Sequence, residues 1–264
     1  MRVIVTRPAA QALPWVQSLE RSGILALALP LIHIAPALDA AAVIDAWRQL
    51  GGARLVMFVS ANAVEHFFAL RPSDADWPDR VQAASPGPGT TRALLDAGLP
   101  LTQIIEPAAD SEQFDSESLW QRLREQDWQG APVRVVRGDG GRDWLADTLR
   151  AHGALVSFVS AYRRTAPTWT AETQSVLDAA LLQPDEHLWF FSSSESIDHL
   201  MDHLTKQPRH TQGSQASTPL PAGARALATH PKIARRAEQA GFGPVWLSRP
   251  TLADVVNCIQ SATP

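Results

Sequence analysis

Short apolar segments of β type alternate along the chain with longer segments of helical periodicity. The apolar segments are nearly continuous, as is typical of strands that are buried on both faces. They comprise residues 3–6, 24–29, 55–59, 104–105, 133–136, 155–159, 188–191 and 245–247. Glycines just after helical patterns predict left-handed helix ends at Gly23, Gly98, Gly153 and Gly241. This alternation predicts an α/β fold of parallel sheets with helices on both faces.

The two halves of the chain resemble each other. Residues 3–23 match 133–153 at an offset of 130, and residues 58–66 match 191–199 at an offset of 133. A third match pairs 88–98 with 231–241 at an offset of 143. These matches indicate a duplicated α/β unit and favour two domains. Chance similarity between strand–turn–helix units is the alternative to a duplication. A single-domain barrel is the alternative to the two domains that the length of 264 residues suggests.

Local patterns predict further boundaries. Asp110 with Gln113 and Thr251 with Asp254 have the spacing of a capping box and predict helix starts. Residues 205–221, rich in Gln, Ser, Thr and Pro, predict a surface loop.

Composition excludes several functional classes. The chain has 27 acidic and 23 basic residues without a block of Lys or Arg, which argues against nucleic acid as a partner. Its one cysteine, Cys258, excludes an intrachain disulfide and a thiolate-rich metal site. No apolar run reaches the roughly 20 residues of a membrane span, and no signal peptide is evident. We therefore expect a cytoplasmic protein without membrane association.

Two histidines four residues apart on a predicted helix, His199 and His203, could contact one metal ion. No acidic motif of the metalloprotease type accompanies them, and Asp198 and Asp202 alternate with them. A solvated polar helix face is the favoured interpretation, and we predict no metal site.

Six motifs occur in a characteristic order. They are Val-Thr-Arg-Pro at 5–8, Leu-Pro-Leu-Ile at 29–32, Phe-Val-Ser-Ala-Asn-Ala-Val at 58–64, Gly-Pro-Gly-Thr-Thr-Arg-Ala-Leu at 87–94, Arg-Gly-Asp-Gly-Gly-Arg at 137–142 and Ala-Tyr-Arg-Arg at 161–164. No single motif is specific, but together they resemble the uroporphyrinogen-III synthase family from Met1 to about Gly241.

This resemblance implies two flavodoxin-like parallel-sheet domains, one of them discontinuous in sequence. Residues 1–36 would join 167–264 in the first domain, and residues 37–166 would form the second. Residues 30–36 and 161–167 would be the paired two-strand connector.

The implied activity is that of a hydro-lyase in porphyrin, tetrapyrrole and heme biosynthesis. It closes the linear tetrapyrrole hydroxymethylbilane to uroporphyrinogen III, with inversion of the last pyrrole ring and loss of water. The family uses neither a metal nor an organic cofactor, and we expect a monomer. The alternative is a non-catalytic two-domain α/β binding or regulatory protein that closes on a small anionic ligand.

The implied substrate carries eight carboxylates although the chain has a net charge of −4. Binding must therefore be local, through helix-start N–H groups, hydroxyl groups and a few cations beyond the carboxyl ends of the strands. The candidates are Arg7, Ser60, Asn62, Thr90, Arg137, Gly138, Asp139, Gly140, Ser192, Ser193, Thr229, His230 and Lys232. Helix capping, tight turns and, for Arg7, a purely structural role are the alternatives.

One candidate departs from the family pattern. The repeat places Ile233 opposite Thr90, where family members often have a hydroxyl group. The prediction for that loop therefore rests on Thr229, His230 and Lys232.

Tyr162, the only tyrosine, aligns with the tyrosine of the family pattern. The resemblance implies that this residue is the acid that assists departure of the substrate hydroxyl group. A phenol with a reference pKa of about 10 stays protonated at neutral pH and can donate a hydrogen bond. The alternative is a tyrosine that only packs the connector.

Overall fold

The computed structural model describes residues 1–111, 113–206 and 220–262. The chain divides into two compact units. One comprises Met1–His33 with Thr165–Pro264, and the other comprises Ile34–Arg164. We call them the discontinuous unit and the continuous unit. The boundaries predicted from the sequence were 36/37 and 166/167. The predicted domain assignment, including independent folding of residues 37–166, stays a prediction.

The helices and strands have the following bounds. The strands are β1 (Arg2–Val5), β2 (Ala26–Ala28), β3 (His33–Pro36), β4 (Leu55–Phe58), β5 (Gln82–Ala84), β6 (Ile104–Ile105), β7 (Pro132–Gly138), β8 (Leu155–Thr165), β9 (His187–Phe191), β10 (Arg225–Ala228) and β11 (Val245–Leu247). The helices are α1 (Ala9–Arg21), α2 (Ala40–Arg48), α3 (Ala61–Ala69), α4 (Pro88–Asp96), α5 (Ser116–Leu123), α6 (Trp144–Ala151), α7 (Ala171–Leu182), α8 (Ser194–Lys206), α9 (Pro231–Ala240) and α10 (Leu252–Ala262).

The discontinuous unit contains a parallel sheet in the order β11-β10-β9-β1-β2. Helices α7, α8 and α9 bury apolar side chains against one face of this sheet, and α1 and α10 pack on the other. All five residues of β9 are buried, which explains their nearly unbroken apolar sequence.

The continuous unit contains a sheet in the order β3-β8-β7-β4-β5-β6, in which the strands from β8 to β6 pair in parallel. Helices α2, α3 and α4 cover one face, and α5 and α6 cover the other. Strand β3 and the end of β8, both within the predicted connectors, are neighbours in this sheet. The predicted fold class of parallel-sheet α/β units is confirmed.

A β-bulge interrupts the pairing of β7 with β8. Arg137 lies opposite Ser160, whereas the next residue, Gly138, lies opposite Tyr162. Ala161 is therefore the extra residue on β8. Bulges redirect the side chains that follow them, and this one places Tyr162 against Gly138 at the end of β7.

The local predictions have mixed outcomes. The four predicted helix-end glycines all have positive φ, and Thr251 forms its predicted cap with the N–H of Asp254 at 3.2 Å. The helix start predicted at Asp110 is wrong, because α5 begins at Ser116 and Asp115 caps it. Most of the loop predicted at 205–221 lies outside the described residues. Within the described ranges, no helix is long and apolar enough to cross a membrane.

Candidate active site

In the continuous unit, the predicted site residues lie where parallel strands end. Ser60 and Asn62 follow β4, and Thr90 lies in the first turn of α4 after β5. Arg137 and Gly138 end β7, where Asp139 and Gly140 continue the loop, and Tyr162 lies on β8 beside them. The carboxyl ends of parallel strands are the usual position of ligand sites in such sheets.

Tyr162 combines a buried ring with a hydrogen-bonded hydroxyl group. The residue is 2% exposed and belongs to the core beneath α2, α3 and α4. Its hydroxyl oxygen lies 3.1 Å from Ser60 Oγ. The ring therefore packs in the core of the continuous unit, as the alternative interpretation expects. Its hydroxyl group forms a hydrogen bond with Ser60.

Ser60 also makes a second hydrogen bond, at the start of α3. As the N-cap of α3, its Oγ accepts a hydrogen bond from the N–H of Ala63 at 3.2 Å. Accepting this bond uses one lone pair of Oγ, so either hydroxyl group can still be the donor in the contact with Tyr162, and one arrangement has Ser60 donate its proton to the phenol oxygen. In that arrangement the phenol proton is available to another acceptor.

The absence of a side chain at Gly138 makes room for the phenol ring. A Cβ atom built at Gly138 would lie 3.2 Å from both Cε2 and Cζ of Tyr162. This distance is shorter than ordinary van der Waals contact. Gly138 therefore positions Tyr162, a contact that the sequence pattern did not predict.

His66, which no sequence pattern singled out, lies beside the same ring. The ring centroids of His66 and Tyr162 are 5.8 Å apart with an interplanar angle of 26°. Burial lowers the pKa of His66 and raises the pKa of the neighbouring Glu65. The imidazole beside the phenol is therefore neutral at pH 7.

The loop after β7 uses its charged side chains mainly within the protein. Arg137 pairs with Asp143, and its guanidinium carbon lies 4.8 Å from the Phe158 ring centroid. Asp139 accepts a hydrogen bond from the N–H of Arg164 at 3.5 Å. Anion binding by this loop stays a prediction, and it would depend on backbone N–H groups more than on Arg137.

A hydroxyl–carboxylate chain that the sequence did not predict follows β5 and β6. Ser85 Oγ lies 2.6 Å from Thr91 Oγ1, which in turn donates to Glu106 at 2.5 Å. Thr90, the residue singled out from the family resemblance, is also buried. Thr91 satisfies a carboxylate inside the unit.

In the discontinuous unit, the remaining candidates also follow strands. Arg7 lies between β1 and α1, Ser192 and Ser193 lie between β9 and α8, and Thr229 and His230 lie between β10 and α9. His230 Nδ1 caps α9 by accepting from the N–H of Lys232 at 3.1 Å. Ile233 is 8% exposed and packs in the core, which explains an apolar residue at that position.

The two histidines of α8 do not form the predicted solvated face. His199 Nδ1 lies 2.7 Å from the carbonyl oxygen of Leu31, and His203 stacks on Trp169 with ring centroids 3.6 Å apart. Both are packing residues because their rings meet neighbouring elements of the same unit. Among the described residues, no group of three or more His, Cys, Asp or Glu side chains is placed to hold a metal ion.

Comparison with known proteins identifies the family. The family model described as uroporphyrinogen-III synthase HemD matches residues 14–257. The uroporphyrinogen-III synthases of Escherichia coli (strain K12) and Salmonella typhimurium (strain LT2) are each 31% identical to this chain, over 167 and 172 residues. These matches cover 63% of the chain and 66% of each relative, just under two thirds of its length.

Solved structures show the same fold. A mutant uroporphyrinogen III synthase from the extremely thermophilic bacterium Thermus thermophilus matches with a TM-score of 0.60 and 18% identity, covering 99% of this chain and 98% of that one. The Helicobacter pylori 26695 enzyme matches with a TM-score of 0.57 and 16% identity, covering 99% and 100%. The alternative of a non-catalytic binding or regulatory protein finds no support among these relatives. The chain belongs to the uroporphyrinogen-III synthase family.

Proposed function

We propose that this protein converts hydroxymethylbilane to uroporphyrinogen III, acting as a hydro-lyase in tetrapyrrole biosynthesis. The observation that carries the proposal is the family match over residues 14–257. The hydrogen-bonded Tyr162 hydroxyl group at the strand ends of the continuous unit supports it.

The reaction depends more on the geometry of the bound substrate than on a strong acid or base. The substrate hydroxyl group leaves as water after it gains a proton, and the substituted carbon of the last pyrrole ring then attacks the methylene carbon that is left. The original bond from that ring carbon to its bridging methylene breaks and re-forms at the free α-carbon of the same ring, which loses a proton, so that the last ring ends inverted. Linear tetrapyrroles of this kind also close unaided, without ring inversion. The protein must therefore hold the chain so that the inverting attack is favoured.

Tyr162 is the proposed proton donor to the leaving hydroxyl group. Ser60 assists by donating its own proton to the phenol oxygen, which directs the phenol proton toward the substrate. Gly138 and His66 act as positioning residues because they border the phenol ring. General-acid assistance of this kind contributes about 10²–10⁴-fold to the rate.

Carboxylate binding is assigned to the other residues predicted from the sequence. Backbone N–H groups at helix starts, hydroxyl side chains and a few cations share this task. The proposed set comprises Arg7, Asn62, Thr90, Arg137, Asp139, Gly140, Ser192, Ser193, Thr229, His230 and Lys232. A monomer that acts in the cytoplasm without a cofactor completes the proposal.

Incubation with freshly made hydroxymethylbilane, followed by chromatographic separation of the cyclised isomers, tests this function. The wild-type protein should yield mainly the inverted, type III isomer, whereas buffer alone should yield the uninverted isomer. The same isomer ratio with and without protein would refute the proposal.

A further inference from the structure

Arg7 is a cation without a carboxylate partner at the strand ends of the discontinuous unit. It follows β1 directly, and it is partly buried. Its Nη1 donates to the Gln11 amide oxygen at 3.3 Å, while its Nε is buried without a hydrogen-bond partner. Across the residues that the structure describes, no Asp or Glu pairs with it. A buried donor left unpaired is costly, so its retention calls for an explanation.

Aromatic side chains hold the guanidinium group. Its central carbon lies 4.7 Å from the ring centroid of Trp15 and 5.8 Å from that of Phe190. Contacts with ring faces satisfy a cation but do not use its N–H groups, which lie in the guanidinium plane. The group is therefore fixed in place while retaining donors for a planar anion.

Burial lowers the pKa of Arg7 to about 10. The guanidinium group thus keeps its positive charge at neutral pH, although the described part of the protein supplies no negative charge to compensate it. An anionic ligand would supply that charge.

The start of α1 provides further donors. Pro8 is the N-cap and makes no side-chain hydrogen bond to the helix, and the first turn contains no acidic residue. The N–H groups of Gln11 and Ala12 both donate to the carbonyl oxygen of Pro8. The preceding N–H groups, of Ala9 and Ala10, lie before the first intrahelical bonds and at the positive end of the helix dipole.

We infer that Arg7, together with the start of α1, forms a receptor for one side-chain carboxylate of the tetrapyrrole. This inference rests on the proposed function and assigns Arg7 to substrate affinity and not to the chemical step. The planar guanidinium group matches a carboxylate through two parallel hydrogen bonds, which an ammonium group cannot form.

Steady-state kinetics of Arg7→Gln, Arg7→Lys and a matched control test the inference. Arg21→Gln is the control, because Arg21 is an exposed residue at the far end of the same helix and its loss removes the same charge. We expect Arg7→Gln to raise KM about 10- to 100-fold, the range of a charge-assisted hydrogen bond, with kcat changed less than about threefold. Arg7→Lys should raise KM less, and Arg21→Gln should behave as wild type.

Several outcomes would overturn the inference. These are a wild-type KM for Arg7→Gln, or a fall in kcat that parallels a lower melting temperature, as a purely structural role predicts. If Arg7→Gln does not fold, Arg7→Lys carries the test, and a wild-type KM for that variant overturns the inference.

A binding experiment separates this inference from the proposed function. If the wild-type protein does not cyclise hydroxymethylbilane, the function fails, and the Arg7 site is then tested with uroporphyrin, a stable octacarboxylate. Tryptophan fluorescence would report its binding to the wild type and to Arg7→Gln. Weaker binding to the variant supports the receptor, whereas equal affinities, or binding to neither protein, would overturn it.

Discussion

Replacing Gly138 by alanine tests whether Tyr162 depends on the exclusion of a side chain from the end of β7. The added Cβ would lie 3.2 Å from two ring atoms of Tyr162 and 3.6 Å from its carbonyl oxygen. Optimal carbon–carbon contact lies at roughly 3.5–4.0 Å, so the ring must move by about 0.3–0.8 Å. Gly138 does not have a positive φ, and the substitution therefore acts through this contact and not through backbone strain.

The expected effects follow from the surroundings of the ring. Overpacking a core costs about 1–3 kcal/mol, and replacing glycine by alanine recovers about 0.4–1 kcal/mol through the unfolded state. The free energy of unfolding should therefore fall by about 0–2.5 kcal/mol. The 3.1 Å contact between Tyr162 and Ser60 would lengthen beyond good hydrogen-bond geometry. Because a misplacement of about 1 Å can cost 10²-fold, we expect kcat to fall roughly tenfold with little change in KM.

The assay combines kinetics with hydroxymethylbilane and thermal unfolding. Gly52→Ala is the matched control, since Gly52 is in the same unit, has no atom within 4 Å of a built Cβ and does not have a positive φ. In a Tyr162→Phe background, Gly138→Ala should still destabilise the protein but should no longer lower kcat. A Gly138→Ala variant with wild-type kcat, or an undiminished kcat effect in the Tyr162→Phe background, would refute the positioning role.

Three further predictions concern the acid, the domains and pH. Tyr162→Phe should lower kcat by about 10²–10⁴-fold with little loss of folding stability and with type III still dominant; mainly uninverted product would contradict this division of labour. A 37–166 fragment should unfold cooperatively by circular dichroism and a 1–132 fragment should not, and the reverse result would show the domain assignment to be wrong. Because burial lowers the pKa of His66 below its ordinary 6.5, the unfolded state binds more protons, and stability should decline as the pH falls below about 6.5. The denaturant midpoint should fall less steeply with decreasing pH for His66→Gln than for the wild type. Equal slopes would count against a lowered pKa of His66 in the folded state.

The sheets could be predicted because burial on both faces leaves a direct mark on the sequence. The five residues of β9 are all buried and contain a single polar side chain, His187. By contrast, β5 is three residues long, Gln82–Ala84, and has no β-branched residue to mark it. The predicted start of α5 at Asp110 is wrong although Asp110 and Asp115 offer the same capping chemistry, because Asp115 is the residue that caps the helix.

The candidate site was predicted by position more than by contact. The parallel fold explains why polar residues lie together at the strand ends. The bulge that sets Tyr162 opposite Gly138, however, depends on how β7 and β8 pair. The proximity of His66 to Tyr162 joins residues far apart in sequence and leaves no local pattern. The contacts of Arg7 with Gln11 and Trp15 did leave a local pattern in the sequence. The three residues are spaced by four, which places Gln11 and Trp15 on one face of α1.

The distribution of paired and unpaired charge bears on the proposed binding of a polyanionic substrate by a protein of net charge −4. In the continuous unit, Arg137 and Arg142 near the strand ends are neutralised by Asp143 and Glu117. In the discontinuous unit, Arg7 keeps its charge with no carboxylate partner in the described chain. A ligand carboxylate therefore gains more by pairing with Arg7 than with Arg137 or Arg142, where it would have to displace an existing ion pair. If Arg7 serves affinity and Tyr162 serves the chemical step, their substitutions should act on KM and kcat separately, and the effects on kcat/KM should add as free energies.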